Sequence, residues 1–378
     1  MEPHRNDYRD TWVEVDLEAI ANNIKAVKTL QGKDVTVMAV VKADGYGHGS
    51  VEVAQKAIEA GAEFLGVALL EEAVELRDAG IQETPILVLG RVNPQDARIA
   101  QQYNISVTVF QIEWVLEAKK HIACDERLDI HIKCDTGMGR IGLTEEHTLL
   151  ELLTIIRSEN ALNLMGIYTH LATADEWETE YLDKQLEYFQ AFVDLAKKTT
   201  GSIPYIHYSN SAASLRYPGH NYNMIRFGIS MYGLVPAIDT APDIPVSLEP
   251  ALSLHSRLVH VKKVKPSTSI SYGATYQASQ EEWIGTVPIG YGDGWLRKNA
   301  ENRGEVLVAG ERCPMVGRIC MDQMMIKLPR EVPIGTKVTL IGSQGHQEIK
   351  VEEVAERLST ITYEVPCTLN SRIPRFYQ

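Results

Sequence analysis

No stretch of this 378-residue sequence approaches the length of an apolar membrane span. The opening residues, Met1 to Asp10, are polar and lack the apolar core of a secretory signal, so a cytoplasmic protein is expected. Cysteine is sparse. The five present (Cys124, Cys134, Cys313, Cys320 and Cys367) are odd in number and show no C-x-x-C spacing, which argues against a disulfide framework or a zinc site and fits free thiols. The histidines form no H-E-x-x-H pattern, and no metal is expected. Positive charge is in deficit, with 37 Lys and Arg against 50 Asp and Glu and a net charge of −13. Nucleic acid and anionic membranes need clustered positive charge, so neither is expected as a partner. There is no internal repeat and no low-complexity segment.

What is present is a globular composition, 44% hydrophobic and 23% charged, on a chain long enough for two domains or a barrel with an addition. From residue 17 to about 233, β-like and helical patterns alternate. Short apolar runs fall at Val35–Val41, Phe64–Ala68, Ile86–Leu89, Ile105–Phe110, Leu128–Lys133, Leu162–Thr169, Ile203–Tyr208 and Met224–Phe227. Amphipathic stretches such as Val51–Ala60, Glu71–Ala79 and Thr179–Lys198 lie between them. Eight strands separated by helices predict a parallel (β/α)8 TIM-like barrel, with an open doubly wound sheet as the alternative that periodicity does not exclude. After Leu234 the texture changes. Pro236, Pro242, Pro245 and Pro250 mark a linker, and short β-rich runs follow at Leu254–Val264, Trp283–Pro288, Gly304–Val308 and Val338–Ile341, with one helix at Val351–Leu358. The expected organisation is an α/β barrel over 1–240 followed by a mainly β domain over 241–378, with a strand near 12–15 as a candidate addition to the second domain.

The segment Ala39-Val40-Val41-Lys42-Ala43-Asp44-Gly45-Tyr46-Gly47-His48-Gly49 places a lysine where a buried strand meets a glycine-rich turn. At that end of a barrel strand a lysine either leaves for solvent or enters the mouth, where lost hydration lowers its pKa and frees a nucleophilic amine. Gly137-Met138-Gly139-Arg140-Ile141-Gly142 matches the dinucleotide fingerprint literally, yet Asp135 would repel a pyrophosphate. The favoured reading is a flexible strand end that aims Arg140 at a carboxylate or oxyanion. Lys133, just upstream, reads on its own as a rim lysine. His170 ends the sixth strand and is either structural or functional. His207-Tyr208-Ser209-Asn210-Ser211-Ala212-Ala213 ends the seventh, where Asn210 and Ser211 are helix caps or phosphate ligands. Arg226 sits in an apolar eighth strand and needs a partner. Tyr272 and Tyr291 stand in glycine turns, and Val316–Gln323 and Ile361–Glu364 are unspecific on their own.

Taken together, the segments AVVKADGYGHG, DTGMGRIG, HYSNSAA, NMIRFGI, SYGATY, GYGDG and VGRICMDQ, in this order between about residue 10 and Phe376, resemble the alanine racemase family of pyridoxal-phosphate (PLP) enzymes of fold type III. The resemblance implies that L- and D-alanine interconvert through a PLP external aldimine with two bases, in a head-to-tail homodimer, for supply of D-alanine to peptidoglycan. It implies Lys42 as the cofactor lysine and one base, and Tyr272 of the partner subunit as the other. Tyr46, Ser211, Tyr363, the backbone near Gly228 and Asn210 would hold the cofactor phosphate. Arg226 would face the pyridine nitrogen, with His170 linked to it. Arg140 and the backbone of Met321 would bind the substrate carboxylate. Asp175, Arg297, Arg318 and Tyr291 would line the entrance. In many family members the lysine at the Lys133 position is carbamylated and supports the arginine at Arg140. Other fold type III enzymes, namely broader amino-acid racemases and amino-acid decarboxylases, remain the alternative. The decarboxylases normally set an acidic residue against the pyridine nitrogen, where this chain offers Arg226. A PLP carrier protein would lack residues 235–378.

Overall fold

The computed structural model describes residues 8–237 and 239–378, so most of the Met1 to Asp10 stretch lies outside the described residues. Two compact units are present. One comprises Ala19–Tyr46 and Ser50–Glu249; the other comprises the residues through Glu18, Gly47–Gly49 and Pro250–Gln378.

The first strand, β1 (Thr11–Val15), belongs to the second unit. The first unit is then built on β2 (Thr36–Val40), β3 (Phe64–Val67), β4 (Ile86–Val88), β5 (Ile105–Val109), β6 (Leu128–Lys133), β7 (Leu162–Tyr168), β8 (Tyr205–His207) and β9 (Met224–Phe227). All neighbours in this eight-stranded sheet run parallel, in the order β8-β7-β6-β5-β4-β3-β2-β9. The pairing of β2 with β9 (Met38 opposite Arg226, Ala39 opposite Phe227) brings the first and last strands together. Between β8 and β9 the Arg226 amide donates to the Ser209 carbonyl at 2.9 Å, and the Ile206 amide to Asn223 Oδ1 at 2.8 Å. The sheet is therefore a nearly closed barrel rather than an open doubly wound sheet. Its strands are buried on both faces, which is why they read as unbroken apolar runs.

The helices between them carry one buried stripe each. Ser50–Glu59 buries Val53, Ala54 and Ala57, and Glu180–Thr200 buries Leu182, Gln185, Phe189, Phe192, Val193 and Ala196, the three-to-four spacing of a helix face. Inside the barrel, Met38, Phe64, Leu87 and Met224 form an apolar layer, partly covered by Leu89 and Tyr205.

The second unit contains β10 (Leu252–Arg257), β11 (His260–Val264), β12 (Ser269–Ile270), β13 (Tyr276–Gln277), β14 (Glu282–Val287), β15 (Glu305–Val308), β16 (Glu311–Pro314), β17 (Met324–Leu328), β18 (Lys337–Gln344), β19 (Gln347–Ile349) and β20 (Arg375–Tyr377). One sheet runs β16-β15-β18-β10-β1-β20, and β1 pairs antiparallel with β10 and parallel with β20. A second sheet runs β11-β14-β17. The run Leu254–Val264, expected as one strand, is two strands in different sheets. The reason is a change of backbone partner: the Leu258 amide donates to Thr336 and the next amide, of Val259, to Thr286. Val264, Ile270, Ala278, Ile284 and Val316 pack as a core cluster in this unit. The helix expected at Val351–Leu358 is present with those bounds.

Candidate active site

Lys42 follows directly on β2 and Val41, whose amide donates to the Gly66 carbonyl at 2.9 Å. The next four residues, Ala43, Asp44, Gly45 and Tyr46, have φ of 53°, 53°, 58° and 52°, a left-handed helical turn closed by the Gly45 amide on the Val41 carbonyl at 2.9 Å. Only Gly45 takes this conformation freely. For each of the other three it costs about 1–2 kcal/mol. The offsetting bonds are specific. Glu72 accepts from the amides of Ala43 (2.6 Å), Ala68 (2.7 Å) and Leu69 (3.0 Å), and Asp44 accepts from the Ser50 amide (3.0 Å). The strained turn sets the half-buried Lys42 beside Tyr46, with Nζ 5.9 Å from the ring centroid.

Tyr46 is buried and packs on Tyr232, with ring centroids 5.1 Å apart. Its hydroxyl lies so near Gly228 that a side-chain carbon there would come within 2.8 Å of it. The Gly228 amide donates to Ser211 Oγ at 3.0 Å, which leaves the Ser211 hydroxyl proton to donate elsewhere. Ser230 Oγ, from the same turn, is buried with no hydrogen-bond partner among the described residues. The hydroxyls of Tyr46, Ser211 and Ser230 around a backbone only glycine allows suit an oxyanion such as a phosphate. Asn210 is engaged otherwise: its Oδ1 caps the helix Ser211–Arg216 by accepting from the Ala213 amide at 3.0 Å, and its Nδ2 donates to the Leu171 carbonyl at 3.4 Å.

Arg226 is buried, yet no carboxylate pairs with it among the described residues. The partner expected for its charge is a set of neutral acceptors. Nη1 donates to His207 Nδ1 (2.9 Å); Nη2 donates to His170 Nδ1 (3.0 Å), the Thr169 carbonyl (3.0 Å) and the Tyr208 carbonyl (2.9 Å). Its Nε–H meets no acceptor among the described residues and stays available. Burial lowers its pKa to about 10, so it remains a cation at neutral pH. The Tyr168 ring underlies two cations, 5.3 Å from Arg226 and 5.0 Å from Lys133 Nζ. Lys133 is the last residue of β6 and only 3% exposed. Burial first, then the charges of Arg226 and Arg140, lower its pKa to about 7. It is a buried amine, half neutral near pH 7, rather than a solvated rim lysine.

The glycine loop Gly137–Gly142 does not offer its amides to a nucleotide. The Asp135 carboxylate already accepts from Gly137 (3.1 Å), Gly139 (3.0 Å) and Arg140 (2.8 Å). The Arg140 side chain is exposed, close enough for its charge to act on Lys133. Asp175, half-buried, lends its carbonyl to Thr240 Oγ1 at 3.0 Å.

In the β unit, three sequence-distant motifs meet. Ser271 Oγ donates to the Arg318 carbonyl (2.6 Å), the Tyr291 amide to the Cys320 carbonyl (3.1 Å), and the Gly292 amide to the Met321 carbonyl (2.8 Å). This fuses the turns carrying Tyr272, Tyr291 and Met321 into one surface, where these side chains are 70%, 41% and 54% exposed. Arg297 and Arg318 are exposed in the same unit, and Tyr363 begins its short helix Glu364–Thr368. Sequence reasoning missed three contributors: Glu72, Ser230 and the His207–His131 pair behind Arg226. Only His207 carried a signal, as the first residue of HYSNSAA.

A lysine on a strained strand end, hydroxyls gathered about Gly228 and a buried arginine, all toward the C-terminal ends of barrel strands, define a barrel enzyme that works with an amine and a phosphate-bearing cofactor. Comparison with known proteins is specific. The alanine racemase N-terminal domain model matches residues 15–236 and the C-terminal domain model residues 251–377. The alanine racemase of Geobacillus stearothermophilus is 51% identical over 98% of this chain and 95% of its own length. The crystal structure of the Bacillus anthracis alanine racemase with bound L-Ala-P is 49% identical, with a TM-score of 0.95 over 99% of this chain and 96% of that one. A histidine racemase from Leuconostoc mesenteroides is 31% identical, with a TM-score of 0.90 over the whole of both chains. The chain belongs to the alanine racemase family, whose members are PLP-dependent isomerases.

Proposed function

We propose that this chain racemises alanine, with PLP held at Lys42 and two side chains exchanging the Cα proton on opposite faces. The observation that carries this reading is Arg226, a cation among neutral acceptors where a decarboxylase would set an acid. The fit supports the cofactor: Lys42 would hold it covalently, Ser211, Tyr46, Ser230 and Tyr363 would hold its phosphate, and Arg226 would face the pyridine nitrogen. Asn210 would act by capping its helix. When bound, PLP supplies an electron sink that acidifies the amino-acid Cα–H.

The protein's own groups then divide the work. Arg226 cannot give up its proton, so it donates to a pyridine nitrogen without protonating it. That keeps the sink weak, which favours rapid return of a proton to Cα over transamination. Lys42 Nζ serves the D-alanine face, and the hydroxyl of Tyr272 of the partner subunit serves the L-alanine face. Arg226 donates to His170 Nδ1 at 3.0 Å, which orients the imidazole and leaves its proton on Nε2. Arg140 and the backbone N–H of Met321 of the partner subunit bind the substrate carboxylate. Asp175, Tyr291, Arg297 and Arg318 line the entrance. The exposed surface carrying Tyr272, Tyr291 and Met321 supports a head-to-tail homodimer in which the β unit completes the partner's site. Lys133 is half neutral near pH 7, and the neutral amine is the form that adds carbon dioxide; its carbamate would turn a repelling cation into an anion beside Arg140. No helix among the described residues is long and apolar enough to cross a membrane. We place the enzyme in the cytoplasm, supplying D-alanine for peptidoglycan.

The kinship with a histidine racemase supports a second, broader reading in which the same frame turns over larger amino acids. Chiral chromatography of PLP-loaded protein incubated separately with L-alanine and L-histidine separates the two. D-alanine alone supports the alanine assignment; D-histidine formed at equal or greater rate replaces it with the broader reading. Neither product, from protein whose borohydride-reduced label maps to Lys42, overturns both.

A further inference from the structure

The guanidinium of Arg226 has only protons to offer, and this decides the state of three imidazoles at once. His207 Nδ1 accepts from Nη1, so a neutral His207 carries its proton on Nε2. That Nε2–H faces His131 Nδ1 at 3.2 Å, so His131 also carries its proton on Nε2. His170 Nδ1 accepts from Nη2, which fixes the same tautomer on the opposite arm. The His170 arm belongs to the reading above. The His207–His131 arm runs the other way, into the barrel interior, and touches none of the reacting groups.

Several independent features hold this inner arm in place. His131 and Gly166 sit opposite each other on β6 and β7, where the strand register shifts between Ile130 and His131. A side-chain carbon at Gly166 would lie 2.2 Å from His131 Nδ1, so only glycine lets the imidazole stand there. Tyr205 stacks on His131 (centroids 6.1 Å apart, planes 11° apart) and Phe64 meets it edge-on (5.9 Å, 74°). Tyr168 stacks on His207 (4.6 Å, 3°), and its hydroxyl is tied to Thr108 Oγ1 at 2.8 Å. Both imidazoles are fully buried, and burial holds both below the ordinary histidine range, His131 at about 3. They stay neutral and add no charge. Two aliphatic side chains would fill this space without the hydration cost of two buried imidazoles.

We propose that His207 and His131 are positioning residues, a stacked imidazole strut that anchors Nη1 of Arg226 and so fixes which N–H groups of the guanidinium face the cofactor ring. The strut rests on the reading of Arg226 given above. With Nη1 anchored by His207 and Nη2 by three acceptors, the guanidinium cannot rotate about its stem. Its Nε–H edge is the part left for a ligand. Without the strut the cation swings, the pyridine nitrogen loses a fixed donor, and control over transamination falls.

The test uses the PLP-loaded enzyme in two measurements. In protein with 15N-labelled histidine, assigned by single substitutions, long-range proton–nitrogen spectra should show His207 and His131 as neutral Nε2–H tautomers from pH 6 to 9. An Nδ1–H tautomer at either residue, or titration in that range, overturns the strut. Next, His207→Leu removes the acceptor, whereas His207→Asn keeps one near the Nδ1 position. The ratio of transamination to racemisation should rise about tenfold or more in His207→Leu, the loss expected for one charge-assisted hydrogen bond. It should stay within about threefold of the parent in His207→Asn. A ratio unchanged in His207→Leu, with only the melting temperature lowered, assigns the pair a purely structural role and overturns the proposal. Should His207→Leu not fold, His131→Phe carries the same test, with a smaller rise expected and no rise overturning it. Protein with the predicted tautomers that fails to racemise alanine refutes the proposed function, not the hydrogen-bonded strut; reversed tautomers in an active racemase refute the strut alone.

Discussion

Replacing Lys133 with methionine should make the protein more stable at neutral pH and not at high pH. The amine has a pKa of about 7 when folded, against 10.5 for the ordinary side chain. Between those values the unfolded chain holds a proton that the folded chain does not, so stability rises with pH across this window and the penalty is greatest below it. At pH 7 the penalty for burying this lysine is about 4 kcal/mol, and it falls to a few tenths near pH 10.5. Methionine removes the penalty and fills similar volume, but it forfeits the contact of the ammonium with the Tyr168 ring, worth about 0.5–2 kcal/mol. Lys133→Met should therefore gain about 2–4 kcal/mol at pH 7 and less than about 1 kcal/mol by pH 10. Urea denaturation of both proteins in carbon-dioxide-free buffer from pH 6 to 10 measures the difference. A loss of stability at pH 7, or a difference that does not change with pH, refutes the reasoning. The same pKa leaves about nine-tenths of the amine neutral at pH 8, against about 0.3% of an ordinary lysine. Added 13C-bicarbonate should therefore label Lys133 as a carbamate and narrow the gap between the two proteins.

Arg226→Glu should raise transamination relative to racemisation, since a protonated carboxyl can hand its proton to the pyridine nitrogen; an unchanged ratio in single-substrate assays would remove that argument. Tyr272→Phe should slow racemisation equally in both directions, as an equilibrium constant of one demands. In deuterated water it should abolish Cα exchange of L-alanine by about 10²–10⁴-fold while D-alanine still exchanges at Lys42; equal loss of both exchanges counts against two bases. Glu72→Gln has one oxygen in place of two to accept from Ala43, Ala68 and Leu69. It should lose about 1–3 kcal/mol in urea denaturation and hold PLP more weakly by equilibrium dialysis.

The barrel was legible because a strand covered on both faces must be apolar throughout, and Phe64-Leu65-Gly66-Val67 or Ile86-Leu87-Val88 can be little else. The β unit was less so. Ser269–Ile270 and Tyr276–Gln277 are two-residue strands, too short for an alternation to register, and the corner at Leu258 and Val259 is made by which strands lie nearby. Lys42 and Arg226 stood out as charges in apolar surroundings. The hand of the turn after Lys42 did not, because Ala43, Asp44 and Tyr46 are ordinary residues forced into it by Glu72 from another element. The imidazole strut was invisible for the same reason: His131 and His207 are 76 residues apart, and only the closed barrel brings them together.

The most direct test of two-base racemisation follows the first turnovers of L-alanine in deuterated water by proton NMR with chiral resolution. With a separate group on each face, the new D-alanine should carry deuterium at Cα from the outset while the remaining L-alanine keeps its protium. D-alanine that retains the original proton would contradict the account by showing a single group carrying it across, and no D-alanine at all would contradict the racemase itself.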